Sequence, residues 1–148
     1  LQAIVKAKDS FIYVIKKYPN TEYALDAEFK IDLINDILAA KEMYVGRYYF
    51  EKKKWIPAIN RFRTVADEYD TTIYIEEALH RLVEVYYTIG LEEESQKYAN
   101  LLGYNYKSSQ WYEMSYSVFN KNYVSNKLKK DKKNSILRKA KNLFDSDG

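Results

Sequence analysis

The chain contains no cysteine, which excludes disulfides, thiolate zinc sites and cysteine nucleophiles together and leaves the redox compartment open. Only 4 glycines and 2 prolines are spread over its 148 residues. An all-β fold needs turn residues every ~8–12 positions, so this scarcity points to long helices instead. No run of ~18 apolar residues is present to span a bilayer, and no charged-then-apolar leader precedes a small-residue cleavage site. The expectation is a chain soluble as written. It starts at Leu1, already inside an apolar-periodic stretch, and is expected to be a fragment of a longer protein.

What is present suits one ordinary domain: 47% hydrophobic and 30% charged residues, enough to bury a core. The net charge of +3 hides a division. Residues 1–102 carry 14 Lys+Arg against 17 Asp+Glu, a balance of −3, whereas residues 103–148 carry 10 against 4, a balance of +6. An acidic body is followed by a basic tail, and the whole-chain charge says little about partners.

Apolar residues recur at helical spacing from Ile4 through Ala7 and Phe11 to Tyr18 and stop at Pro19, which cannot continue a helix. Asn20 or Thr21 can cap a second helix, whose face runs through Ala27, Ile31, Ile34, Leu38, Val45 and Tyr48. It should be roughly 28 residues long, about 42 Å. The polar run Glu51 to Lys54 forms a turn, and Pro57 then sits in the first turn of a helix from about Lys54 to Tyr69. Further helices are expected from Tyr74 to Ile89, halted by Gly90, and from Glu92 to about Gly103, with the glutamates at the exposed amides of its start. Ser108-Ser109 can cap a last one from Gln110 to about Tyr123.

These helices carry a degenerate repeat. Val45-Gly46-x2-Tyr49 is followed by Ala58-x3-Phe62 and, eight residues on, by Asp70; Ala7-x3-Phe11 leads to Pro19 at the same distance; Leu82-Val83-x2-Tyr86 and Ser95-x3-Ala99 lead to Lys107. The spacing follows the tetratricopeptide pattern, in which small residues mark close helix crossings and aromatics fill the gaps beside them. Gly46 and Ala58 are therefore expected where two helices touch, with Tyr49, Phe62 and Tyr86 as packed knobs. The fold expected is all-α, a tetratricopeptide-like solenoid of helical hairpins with one long helix and a basic C-terminal tail: residues 1–120 form the repeat domain, truncated at its N-terminus, and 121–148 the tail.

Tyr18-Pro19-Asn20-Thr21 before Asp26-Ala27, the long helix to Tyr48-Tyr49, the turn before Trp55, then Asn60-Arg61 and Tyr69-Asp70-Thr71 together resemble the C-terminal half of the BamD family. These are lipoprotein subunits of the outer-membrane β-barrel assembly machinery. Gly103-Tyr104-Asn105-Tyr106 before Trp111-Tyr112 adds to the likeness, which covers roughly residues 1–119. Asp70 and Lys107 stand where the family usually has proline. The resemblance implies a non-catalytic scaffold at the periplasmic face of the bacterial outer membrane, docking the POTRA region of BamA and helping β-barrel proteins to insert. Other assembly lipoproteins and unfolded outer-membrane proteins are further partners, and a lipid anchor outside this sequence is the link to the membrane. No cofactor is expected.

On the same resemblance Arg61, with Asn60 and Trp55, would lie at the BamA contact. Arg61 precedes the buried Phe62, so it should reach the surface, where a guanidinium can fork onto a carboxylate; a solvated arginine is the other reading. First helices of such repeats often line a groove. Met43, Arg47, Phe50, Glu77, His80, Glu84 and Tyr87 would do so here and could hold an extended peptide, the basis of an alternative role as an adaptor for peptide tails. Equally, Met43 and Phe50 are core and the rest solvated. His80, the only histidine, has Glu77 and Glu84 on its helix face, yet no metal motif accompanies it, and a solvated or groove histidine is expected. Asp67-Glu68-Asp70 and Asp32/Asp36 read as caps and solvated charge, with no nucleophile or phosphate loop beside them.

From Lys121 to Lys141 nine basic residues face Asp131 alone. Nucleic acid, anionic lipid, a solvated terminus, or a short amphipathic helix with Ile136, Ala140, Leu143 and Phe144 on one face all fit this pattern. The acidic body argues against nucleic acid as a partner.

Overall fold

A computed structural model describes residues 2–120. They form six helices and no strand: α1 (Gln2–Lys17), α2 (Glu22–Glu51), α3 (Trp55–Glu68), α4 (Ile75–Thr88), α5 (Glu92–Asn105) and α6 (Gln110–Phe119). The expected end of the last helix at Tyr123, and every reading of the tail 121–148, lie outside the described residues. No described helix is long and apolar enough to cross a membrane.

The ends of these helices follow from local chemistry. Thr21 is extended and its hydroxyl accepts from the Ala24 amide at 3.3 Å, while Ser109 does the same for the Trp111 amide at 3.0 Å, each satisfying a donor that the first helical turn leaves free. At the end of α2 the Lys54 amide reaches back to the Tyr49 carbonyl and the Lys53 amide to that of Phe50, both at 2.9 Å. At the end of α4 the Leu91 and Gly90 amides bond to the Tyr86 and Tyr87 carbonyls at 2.9 and 3.1 Å. Both are Schellman closures with a left-handed residue, Gly90 at φ +81° and Lys53 at φ +56°.

Consecutive helices pack as antiparallel pairs: α2 on α3, α4 on α5, with α3 against α4 joining the pairs and α1 lying on α2. This is the all-α, tetratricopeptide-like arrangement of stacked hairpins. One core runs through it, built from Met43 and Ala39 of α2, Ala58, Phe62 and Val65 of α3, Leu79, Leu82 and Val83 of α4, and Tyr98, Ala99 and Leu102 of α5. Gly46 is what lets α2 and α3 approach: a Cβ there would stand 2.6 Å from Cε1 of the Phe62 ring. Phe62 is fully buried as a result, and burying such a side chain is worth about 1.5–3 kcal/mol. Tyr49 and Tyr86 pack on the rim of this core, and Tyr86 stacks on Tyr98 with centroids 5.6 Å apart.

The N-terminal end is different. No residue of α1 is buried, and along α2 the side chains of Leu25, Phe29, Leu33, Ile37, Tyr44 and Tyr48 remain exposed. At the other end α6 lies across α4 and touches α5. Gly103 of α5 allows that approach, since a Cβ would stand 2.7 Å from Cε2 of the Tyr112 ring.

Candidate functional site

Two surfaces collect the residues singled out by the sequence. The first is the outer face of α3. Asn60 and Arg61 are exposed and border a depression of about 220 Å³ with Tyr49, Ile56, Pro57 and Thr64. Arg61 Nη1 donates to Glu42 Oε2 on α2 at 2.9 Å, and the arginine side chain is still 45% exposed, so one edge of the guanidinium holds the hairpin while another faces outward. The hydrogen bond from Arg61 to Glu42 and the carboxylate's charge raise the Arg61 pKa. Trp55 is not part of this depression. Its ring is half-buried and meets Phe50 edge-on at 5.6 Å, because the first residue of α3 folds back over the end of α2, so it also packs within the hairpin.

The second surface is made by side chains of α2, α4 and α6, which close it. Arg47 of α2 forks onto Glu77 of α4, with Nε 2.8 Å from Oε1. Arg81 continues the ladder from the middle of α4: its Nη1 donates to Glu84 Oε2 at 2.7 Å, and its guanidinium lies over the rings of Phe50 and Trp111 at 5.4 and 5.9 Å. Burial pushes the Glu77 carboxyl up, but the Arg47 fork and Arg81 outweigh it and hold the pKa below the ordinary value. Burial likewise raises Glu84, and His80 and Arg81 overcome it to leave that carboxyl lowered.

Several residues expected to line a groove here are covered. Met43 is fully buried in the core, as its spacing from Ala39 and Gly46 on the inner face requires. His80 is 1% exposed, neither solvated nor groove-lining: α6 lies over it, Nδ1 is 2.8 Å from Ser115 Oγ, Trp111 sits at 5.4 Å between ring centroids, and Nε2 is 3.4 Å from Glu84 Oε2. Tyr87 meets Phe119 of α6 edge-on at 5.4 Å. Arg47, Phe50, Glu77 and Glu84 are half-buried and engaged with one another's neighbours. Arg81 and Ser115 were not singled out by the sequence, and Trp111 entered only through the family likeness. The Glu77-Arg81-Glu84 spacing of four and three was a readable signal for Arg81; Ser115 had none, because its role depends on where α6 lands.

Comparison with known proteins gives the family. The sequence model of the YfiO family, described as outer membrane lipoprotein, matches residues 1–101. The chain belongs to the YfiO family. Among curated relatives of this YfiO chain, the outer membrane protein assembly factor BamD of Rickettsia prowazekii is 55% identical over 117 residues, 79% of the chain and 46% of that protein. BamD of Caulobacter vibrioides is 46% identical over 121 residues, 82% of the chain and 38% of that protein. BamD of Neisseria meningitidis is 31% identical over 104 residues. The chain thus spans less than half the length of these relatives. Helix α6 of this YfiO member lies beyond the part matched by the family model.

Proposed function

We propose that the chain is part of a non-catalytic scaffold for outer-membrane protein assembly and that it docks the periplasmic POTRA region of BamA through the α3 face. The relatives named outer membrane protein assembly factor support the process. The observation that supports the place is Arg61: a half-exposed guanidinium at the edge of a depression whose wall includes the exposed Ile56. An apolar wall beside a charge that can fork is the composition of an interface anchor. A stack of hairpins serves this role because each pair contacts only its neighbours and leaves long outer walls free. Other assembly lipoproteins and unfolded outer-membrane proteins would meet other walls, and attachment to the membrane would come through a lipid anchor outside this sequence.

Peptide capture on the α2 and α4 face is less well supported, since Met43 and His80 are covered and Arg47 is committed to Glu77. The test is binding of purified POTRA domains by calorimetry to wild type, Arg61→Glu and Glu42→Gln. Arg61→Glu should weaken binding at least about tenfold, or 1.4 kcal/mol. Glu42→Gln, which removes only the partner within the chain, should leave binding near wild type. A folded Arg61→Glu protein that binds as tightly as wild type removes the named contact.

A further inference from the structure

Helix α6 meets α4 through three residues spaced by four, Trp111, Ser115 and Phe119. The Trp111 ring lies 5.4 Å from that of His80 and 5.9 Å from the Arg81 guanidinium, Ser115 Oγ is 2.8 Å from His80 Nδ1, and Phe119 meets the Tyr87 ring at 5.4 Å. The contacts advance in the same order along both helices. Residues four apart share a helix face, so this stripe is aromatic at both ends and small and polar in the middle. Burial is deepest at that middle: Ser115 and His80 are each 1% exposed, whereas Trp111 and Phe119 are only partly buried.

The neighbours orient the pair. On its other edge the imidazole turns Nε2 toward Glu84 Oε2, 3.4 Å away. Burial raises the Glu84 carboxyl, yet His80 and Arg81 hold its pKa below the ordinary value, so near neutral pH it is ionised, and an ionised carboxylate can only accept. In a neutral ring the proton then belongs on Nε2, and the bare Nδ1 accepts from the Ser115 hydroxyl. Sliding α6 by one turn in either direction would bring Trp111 or Phe119 to the level of Ser115 and strand Nδ1 as a buried acceptor with no donor, the costly outcome for a polar group. Ser117 is no substitute, because it lies on another face, exposed, with its hydroxyl donating to the Met114 carbonyl at 2.6 Å.

We propose that Ser115 and His80 form a register key: the serine hydroxyl, bonded to the bare Nδ1 of an Nε2–H imidazole, selects one seat for α6 along α4. Apolar contact is non-directional, so the two aromatic ends of the stripe attract α6 without choosing its alignment. A single buried polar position can make that choice between helices. The choice shapes the wall formed with α2, since it is this register that sets Trp111 on Arg81.

The test uses the full chain, in which His80 is the only histidine, so a long-range proton–nitrogen NMR spectrum reports one imidazole. At about pH 8 it should show the Nε2–H tautomer, and Ser115→Ala should move the Nδ1 resonance toward that of an unbonded ring nitrogen. An Nδ1–H tautomer, a doubly protonated ring, or an Nδ1 resonance that Ser115→Ala leaves in place overturns the proposal. Register is read separately, in His80→Leu/Ser115→Ala, which strands no acceptor. This variant should keep α6 docked yet give more than one set of nuclear Overhauser contacts between Phe119 and α4, where wild type gives one. A double variant that keeps the single set, or one in which α6 leaves α4 altogether, overturns the key: in the first case the apolar contacts choose the seat, and in the second the pair supplies attachment rather than choice.

Discussion

The two complete hairpins solve the same packing problem with opposite residues. In α2–α3 the first helix supplies the small residue, Gly46, and the second the large one, Phe62, whose ring lies against the glycine. In α4–α5 the corresponding positions of the repeat are Val83 and Ala99, so the bulk has moved to the first helix. Both stand in the same core. Ser95 takes the place of Ala58, and its buried hydroxyl donates to the Val83 carbonyl at 2.8 Å, a bond possible only where the helices already run close. The pattern therefore conserves combined volume at a crossing rather than the residue at either position, as close-packed interiors demand.

The largest expected effect comes from emptying one crossing. Phe62→Ala should destabilise the fold by about 3–5 kcal/mol, measured by urea unfolding. Adding Gly46→Val, which copies the Val83 and Ala99 arrangement into the first hairpin, should restore about 1–2 kcal/mol relative to Phe62→Ala alone. A double variant no more stable than the single one would break the comparison.

Next is the pair that joins the hairpins. Arg47→Met should cost about 1.5–3 kcal/mol near neutral pH, because it strips a charged hydrogen bond from a carboxylate that is only 12% exposed. The sign of its pH dependence is set by Glu77. Its pKa is lowered on folding, so the stability it contributes is full above the unfolded carboxylate value, about 4.3, and is lost as pH falls through the lower folded value. Glu77→Gln should flatten that acid limb, read from unfolding midpoints across roughly pH 3 to 7. An unchanged limb would count against the pairing.

The smallest effects compare the two turns. Gly90→Ala forces a side chain into the left-handed region and should cost about 1–2 kcal/mol. Lys53→Gly removes the same strain at the other Schellman closure and, after the entropy of glycine, should gain up to about 0.5 kcal/mol. Melting temperatures resolve both signs. Arg61→Ala, breaking the half-exposed bond to Glu42, should cost less than about 1 kcal/mol, small enough that loss of POTRA binding by Arg61 variants would not be mistaken for unfolding.

Most helix boundaries were legible because they rest on local chemistry: Pro19 with the Thr21 cap, the lysine turn, Gly90, and Ser109. Gly46 and Phe62 were legible as a repeat signature even though they lie 16 positions apart. The second surface was not. Periodicity puts Met43 and Phe50 on an inward stripe without saying whether a neighbouring helix covers it, and His80 gives no sign of burial because its cover arrives from α6, 35 residues later. The packing of Trp55 was hidden for a related reason: an aromatic opening a helix can face outward or back over the turn, and only the meeting with Phe50 shows the second.

The side-chain ladder from Arg47 of α2 through Glu77 and Arg81 to Glu84 of α4, with the rings of Phe50 and Trp111 against Arg81, stitches α2, α4 and α6 together. Flexing the array so that this wall splays would part a charged seam and expose two aromatic faces at once. The scaffold should therefore resist loads that open the stitched side.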